Sequence, residues 1–266
     1  MLQPMLYDVH THAFHPKIAH KVTAQLQEHY GIAPVGDGTL EDLLSRERQA
    51  GIEQIFVHSA ATAPAQVIPA NNWAIGLNSD VPEITAFGTM HPGYTDAEKE
   101  LDRLEQKGIR GIKLHPDFQG FRLDDPDFYQ LMEMINGRFV LMVHVGDSLP
   151  PERNPSCPKK LAAVRRAFPK SRIIAAHLGG YQHWKYVPEH LCGLDVWMDT
   201  SSALPFMTDQ ELHQILDHHP RERILFGSDY PLFDPMEALH RLQTRLQLTD
   251  RQLETHLTAA RDLFPE

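Results

Sequence analysis

Eight short apolar runs recur along the 266 residues, each followed by a polar stretch of helical character. This alternation is the strongest constraint on the fold. The runs fall near 5–10, 52–58, 84–90, 109–115, 139–145, 172–177, 194–199 and 223–228. Ile55-Phe56-Val57, Phe139 to Val143 and Arg172 to Ala176 are nearly continuous apolar stretches, with no polar residue at every second position. Strands that read this way are covered on both faces, as in a parallel sheet flanked by helices. Eight βα units in a chain of this length predict an α/β fold, a (β/α)8 TIM barrel forming one domain over residues 1–266. A doubly wound open sheet is the alternative, and it would hold the first and last strands apart.

Helix ends support the alternation. Thr95-Asp96-Ala97-Glu98 and Thr208-Asp209-Gln210-Glu211 carry the capping-box pattern, and Gly108 stands where a helix should stop. Pro158 to Phe168 and Thr208 to His219 read as amphipathic helices. Between the first two strands lies an insertion, Pro16 to Gly38, helical from Lys17 to Tyr30 and looping back from Gly31. Because it follows a strand's C-terminal end, it is expected to cover the mouth of any site there. The proline-rich loop from Gly146 to Pro158 is expected to do the same.

Composition narrows the function. A formal net charge of −10 disfavours nucleic acid and anionic membrane surfaces, which need a basic face. No run approaches the roughly 18 apolar residues of a membrane span, and the N-terminus lacks a basic stretch leading into an apolar one. With only Cys157 and Cys192, no disulfide framework is implied. A cytoplasmic protein acting on a small molecule is the expectation.

The 17 histidines are the informative residues. His10, His12, His58, His91, His115, His144 and His177 all fall at or just past a predicted strand end, as does Asp229. In a parallel barrel that rim is where reactive side chains gather. His10 and His12, two apart, share one face of a strand. Two polar inward residues would be the bland reading; metal ligation is the better one. His144, if not a ligand, would be a buried polar group in need of a partner. His177 opens His177-Leu178-Gly179-Gly180, where it suits a second ion or acid/base work. Asp229 could cap a helix, but beside these histidines ligation or proton transfer is preferred. Imidazoles with one carboxylate suit zinc, with manganese or iron(II) as alternatives, and an open position admits water. Such an ion lowers the pKa of water from 15.7 to about 7.

The pieces Asp8-Val9-His10-Thr11-His12, Gly111-Ile112-Lys113-Leu114-His115-Pro116, Val143-His144-Val145-Gly146, Ala176-His177-Leu178-Gly179-Gly180, Asp199-Thr200-Ser201-Ser202 and Gly227-Ser228-Asp229-Tyr230-Pro231 span nearly the whole chain. In them the sequence resembles the amidohydrolase superfamily, specifically the branch that contains aminocarboxymuconate-semialdehyde decarboxylase. The resemblance implies a metal-dependent barrel with His10, His12, His144 and Asp229 as ligands and His177 as general acid or base. It also implies either of two reactions: hydrolysis of an amide, lactone or ester, or non-oxidative decarboxylation of an unsaturated or aromatic acid. A barrel that keeps its metal without catalysis is a third reading.

Lys113 carries an ambiguity of its own. In binuclear members of the superfamily a carbamylated lysine at the end of the fourth strand bridges two metals. The plain alternative is an ammonium that pairs with a substrate carboxylate or with Asp229, and one ion is favoured over two. His115 is a candidate substrate contact or a loop cap. Arg122 is a candidate carboxylate clamp, although a surface salt bridge is the more frequent role of a loop arginine. Asp8 shares the face of His10 and His12 on strict alternation, and would orient an imidazole from behind. Asp199 is expected to anchor its loop through hydrogen bonds. The expected substrate is small and anionic, and a homodimer is compatible with the resemblance.

Overall fold

The computed structural model describes residues 5–264. Its strands are β1 (Tyr7–Thr11), β2 (Gln54–Val57), β3 (Ile84–Ala86), β4 (Gly88–Thr89), β5 (Gly111–Leu114), β6 (Val140–Val143), β7 (Arg172–Ala175), β8 (Trp197–Asp199) and β9 (Ile224–Leu225). They pair in parallel in chain order, β1 to β3 and β4 to β9. The run expected over 84–90 is split at Phe87, whose N–H still donates to Val57 O at 2.9 Å and keeps the chain beside β2. At the other seam, Val9 N–H donates to Phe226 O at 2.9 Å, and Asp229 and His12 N–H donate to His10 O and Tyr230 O at 2.8 Å each. These bonds tie the first strand to the chain leaving the last, which an open sheet would keep apart. The architecture is an α/β fold of the TIM-barrel type.

Alternation along the strands separates two apolar cores. Ile55, Val57, Ile112, Leu114, Leu141, Val143, Ile173 and Ala175 pack outward against the helices. Phe56, Phe87, Val140, Met142, Ile174 and Leu225 form the second core, within the ring of strands. Ala259, Ala260 and Leu263 of the last helical turn join that inner core. A side chain two residues beyond an inward strand residue therefore points into the ring, and His144 follows Met142 in that way.

Helix Ala19–Tyr30 realises the insertion and ends at Gly31, whose φ of 68° is left-handed. Thr208 and Glu211 form the expected capping box before helix Asp209–His218. The one expected at Thr95 is not made: helix Ala97–Gln106 begins after Asp96, without a side-chain cap.

Strict alternation fails in β1. Three residue steps from Asp8 to Thr11 pair with only two from Ile55 to Val57, a bulge that adds one residue. Asp8 therefore leaves the face of His10 and His12. Its carboxylate accepts from the N–H groups of His10 (3.0 Å) and Ser228 (3.1 Å) and reaches no imidazole. Beside it lies Glu47 of helix Leu40–Gln49, fully buried, with no N–H or hydroxyl donor to its carboxyl among the described residues and the Asp8 carboxyl within reach to share a proton. Burial, and then the charge of Asp8, push the Glu47 carboxyl well above its usual range. A folded-state pKa raised this way means that stability falls as pH climbs past the unfolded value of about 4.3. Glu47→Gln is expected to shrink that decline, leaving the part due to Asp8, whose carboxyl burial pushes up to about 7, and to raise Tm at pH 8 by about 2–4 °C, for about 1–2 kcal/mol. Calorimetric scans at pH 5 and pH 8 check this; an unchanged difference between the two pH values defeats it.

Candidate metal centre

The site is assembled where the strands give way to loops. His10 lies at the β1 bulge and His12 just past the strand end. Asp229, two residues after Gly227, holds φ at 66°, a conformation disfavoured for any residue with a Cβ. Its N–H bond to His10 O fixes it across from the two histidines. His177 and Leu178 also have positive φ, 59° and 50°. Gly146 supplies the carbonyl that receives His144 Nε2 at 2.8 Å, and at φ 82° a Cβ there would lie 2.2 Å from Tyr181 O. Positive φ at three such positions is backbone strain concentrated at the site.

Hydrogen-bond partners assign each imidazole tautomer. His12 Nδ1 lies 2.9 Å from His58 O, so it carries the proton and leaves Nε2 bare. His10 Nδ1 lies 3.1 Å from Asp199 Oδ2 and 2.9 Å from Ser201 Oγ, which again bares Nε2. His144 donates from Nε2 to Gly146 O, baring Nδ1. His177 donates from Nδ1 to Ser201 O at 2.9 Å, baring Nε2.

The bare atoms face one another. His12 Nε2 is 3.3 Å from Asp229 Oδ1, and His144 Nδ1 is 3.0 Å from His177 Nε2. His10 Nε2 stands 3.7 Å from Asp229 Oδ1, with Lys113 Nζ at 3.1 Å. Two acceptors at such distances repel unless a proton or a cation lies between them. One ligand atom each from His10, His12 and Asp229 fall within 4.8 Å of one another, the spacing a single ion needs. His144 is outside that trio and meets it through His177, whose ring centroid is 5.0 Å from that of His10 and 4.8 Å from that of His144. The donor set fits a divalent ion.

Electrostatics agree. Burial, and after it the Lys113 charge, hold His10 well below the ordinary imidazole value; burial does the same for His144. Both are neutral and able to ligate. Burial would raise the Asp229 carboxyl, but positive charge among the facing imidazoles opposes it and holds it well below the carboxylate range, so the ionised carboxylate goes with a cation at this centre. The Lys113 ammonium is lowered by burial to about 8, with Asp199 and Asp229 opposing the fall.

A cavity of about 1180 Å³ opens above this centre, lined by His10, His12, Lys113, His115, His144, His177 and Asp229 at its polar end. The inserted helix forms much of the far wall, through Val22, Leu26 and Tyr30. The proline-rich loop contributes no lining residue; its Asp147 instead accepts from His29 Nε2 at 3.0 Å and braces the helix. Arg122 lies elsewhere. It pairs with Asp124 at 3.0 Å and donates to Arg153 O at 3.1 Å, so it clamps nothing in the cavity. His58 and His91 hold backbone, His58 Nε2 donating to Val9 O at 2.8 Å and His91 Nε2 to Gln119 O at 3.0 Å.

Asp199 anchors its loop as expected, accepting from Ser201 N–H at 2.9 Å and from the Ser201 hydroxyl. Three further residues were not legible as site residues. Ser201 links His10 to His177, and the Ser202 hydroxyl donates to Asp229 Oδ2, leaving Oδ1 to face the histidines. Tyr30 reaches His115 at 3.2 Å. His115 Nδ1 accepts from Phe118 N–H at 3.3 Å, so its Nε2 carries the proton and donates to the Tyr30 oxygen. The Tyr30 hydroxyl proton is then free to point into the cavity. His115 itself stacks on His144, with ring centroids 3.8 Å apart.

No curated protein matches this sequence. Among solved structures, an uncharacterised TIM-barrel protein from Bordetella bronchiseptica is 16% identical, with a TM-score of 0.75 over 97% of this chain and 98% of that one. A candidate 2-pyrone-4,6-dicarboxylic acid hydrolase from Acinetobacter baumannii is 15% identical, with a TM-score of 0.68 over 97% and 98% of the two chains. A dihydroxybenzoic acid decarboxylase from Polaromonas sp. JS666, with manganese bound, is 14% identical, with a TM-score of 0.69 over 98% and 97%. At these identities the likeness shows the fold. The sequence itself matches the amidohydrolase family profile from residue 7 to residue 263, and the chain belongs to that metal-dependent enzyme family.

Proposed function

We propose that the protein is a metal-dependent hydrolase that cleaves the carbonyl of an amide, lactone or ester. The convergence of bare imidazole nitrogens on Asp229 Oδ1 carries this reading. His10, His12, His144 and Asp229 would hold one divalent ion, zinc on donor chemistry, with manganese or iron(II) as alternatives. When bound, the ion supplies Lewis acidity and acidifies a water at neutral pH. The Asp229 carboxylate, oriented by the Ser202 hydroxyl that donates to its Oδ2, would accept the water's proton. His177 Nε2 passes a proton to the leaving group, while Ser201 O and Oγ fix its ring. Tyr30 donates its free hydroxyl proton to a substrate oxygen. Burial, and then Asp147, hold that phenol well above its ordinary pKa, so it stays a donor.

Two checks follow directly. Elemental analysis is expected to find one ion per chain; two would make Lys113 a carbamate bridge. Tyr30→Phe is expected to keep the metal and lower kcat about 100-fold, the cost of one donor to developing charge. Unchanged turnover would remove Tyr30 from the reaction. Non-oxidative decarboxylation is the second reading, favoured by the fold shared with the manganese-bound decarboxylase. Incubating the metal-loaded protein with aryl carboxylic acids and with lactones separates the two readings: carbon dioxide release marks one, acid release the other.

A further inference from the structure

The wall facing the metal ligands is apolar in a way the chemistry at the centre does not require. Helix Ala19–Tyr30 buries only Ala19 in the protein core, yet Ile18, Val22 and Leu26, spaced four apart, line the cavity as one stripe. Trp73 lines the cavity as well, and its Nε1–H is already donated to Ala13 O at 2.9 Å, so the indole offers a ligand no polar group.

Cations are scarce there. Among the described residues no arginine lines the cavity, and its lysines are Lys17, exposed at the rim, and Lys113 beside His10. Gln25, Gln66 and Asn72 of the lining are polar but neutral, so a carboxylate seated on Val22, Leu26 and Trp73 would be buried there without a charged partner, which is unfavourable. The volume of about 1180 Å³ lies above the range of roughly 300–1,000 Å³ usual for small-molecule sites and leaves room beyond a single compact ring.

We propose that this cavity takes an ester or lactone whose non-reacting part is an uncharged aryl or alkyl group seated on the Ile18, Val22, Leu26 stripe. The reacting carbonyl rests on the hydrolytic reading above; the apolar part rests on the cavity walls alone.

Hydroxamates, which chelate a metal through a carbonyl-like head, test the walls independently of turnover. Calorimetric Kd values on the metal-loaded full chain would compare acetohydroxamate, butyrohydroxamate, hexanohydroxamate, benzohydroxamate and 4-carboxybenzohydroxamate. Affinity is expected to rise about threefold to fourfold per added methylene. The 4-carboxyl group is expected to weaken binding at least tenfold relative to benzohydroxamate. Leu26→Ala should flatten the alkyl series, and Leu26→Lys should recover the carboxylated ligand. A series flat in the wild-type protein, or tighter binding of the carboxylated ligand, overturns the proposal. A parallel rate series with neutral alkyl lactones and 2-pyrone-4,6-dicarboxylate keeps the two ideas apart. Turnover of the dicarboxylate alone upholds hydrolysis and overturns the apolar assignment. A steep hydroxamate series with no hydrolysis of any carbonyl compound does the reverse.

Discussion

His177→Asn is expected to keep one divalent ion per chain and to lower kcat by about 10³–10⁴-fold, the upper part of the range for losing a general acid or base. Asparagine is the right substitute because the backbone here is left-handed, with φ at 59°, and asparagine tolerates that region better than alanine. His177 differs from the proposed ligands His10, His12 and Asp229 in what holds it. Its Nδ1 rests on Ser201 O and Oγ, and its Nε2 lies 3.0 Å from His144 Nδ1, so it reaches a ligand rather than completing the trio of His10, His12 and Asp229. With a metal on His144, the freed Nε2 has a cavity in front of it and a proton to exchange. The check is metal content and kcat on the same preparation. Loss of the ion together with activity would make His177 a ligand and revive a two-metal centre. Full activity would remove it from proton transfer.

Much of this was legible in the sequence, for a physical reason. Buried parallel strands cannot alternate polar and apolar, so runs such as Phe139 to Val143 mark themselves, and β6 lies inside that run. Rim histidines follow from the same logic, since a residue one or two places past such a run stands at a strand end. What was not legible depends on register and on distant contacts. Asp8 was expected beside the imidazoles because alternation was assumed, and no residue pattern announces the bulge that turns it toward Glu47. Tyr30 closes an insertion whose path back over the barrel is set by tertiary packing, so its contact with His115, 85 residues later, has no local signal. Arg122 has the composition of an anion clamp, but Asp124, two residues on, claims its guanidinium.

Removing the metal is expected to cost more stability than any single side chain of the site. His12 Nε2 and Asp229 Oδ1 face each other at 3.3 Å, two acceptors that repel unless a proton or cation lies between them, and Asp229 holds a left-handed backbone that this contact has to sustain. Burial and the Lys113 charge make His10 a poor proton acceptor, so protonation there is a costly substitute for the ion. An ion at a thousand times its Kd stabilises the folded chain by about 4 kcal/mol, and in a chain of this size that corresponds to about 8 °C or more in Tm. Chelation should therefore lower Tm by at least that much, and restoring zinc or manganese should reverse the change. Asp229→Ala is the decisive companion. It removes the proposed negative ligand and adds to the φ strain, since alanine tolerates the left-handed region less well than aspartate, so its Tm should be low already and indifferent to chelator. Asp199→Asn separates holding from ligating: its side chain touches His10 Nδ1, the ring nitrogen opposite the bare Nε2, and the variant should keep a metal that is held about 10–100-fold more weakly, whereas complete loss of metal would make Asp199 a ligand. If chelator shifts the Asp229→Ala protein as far as the parent, the ion is not held by this carboxylate, and the assignment of the centre fails at its most acidic ligand.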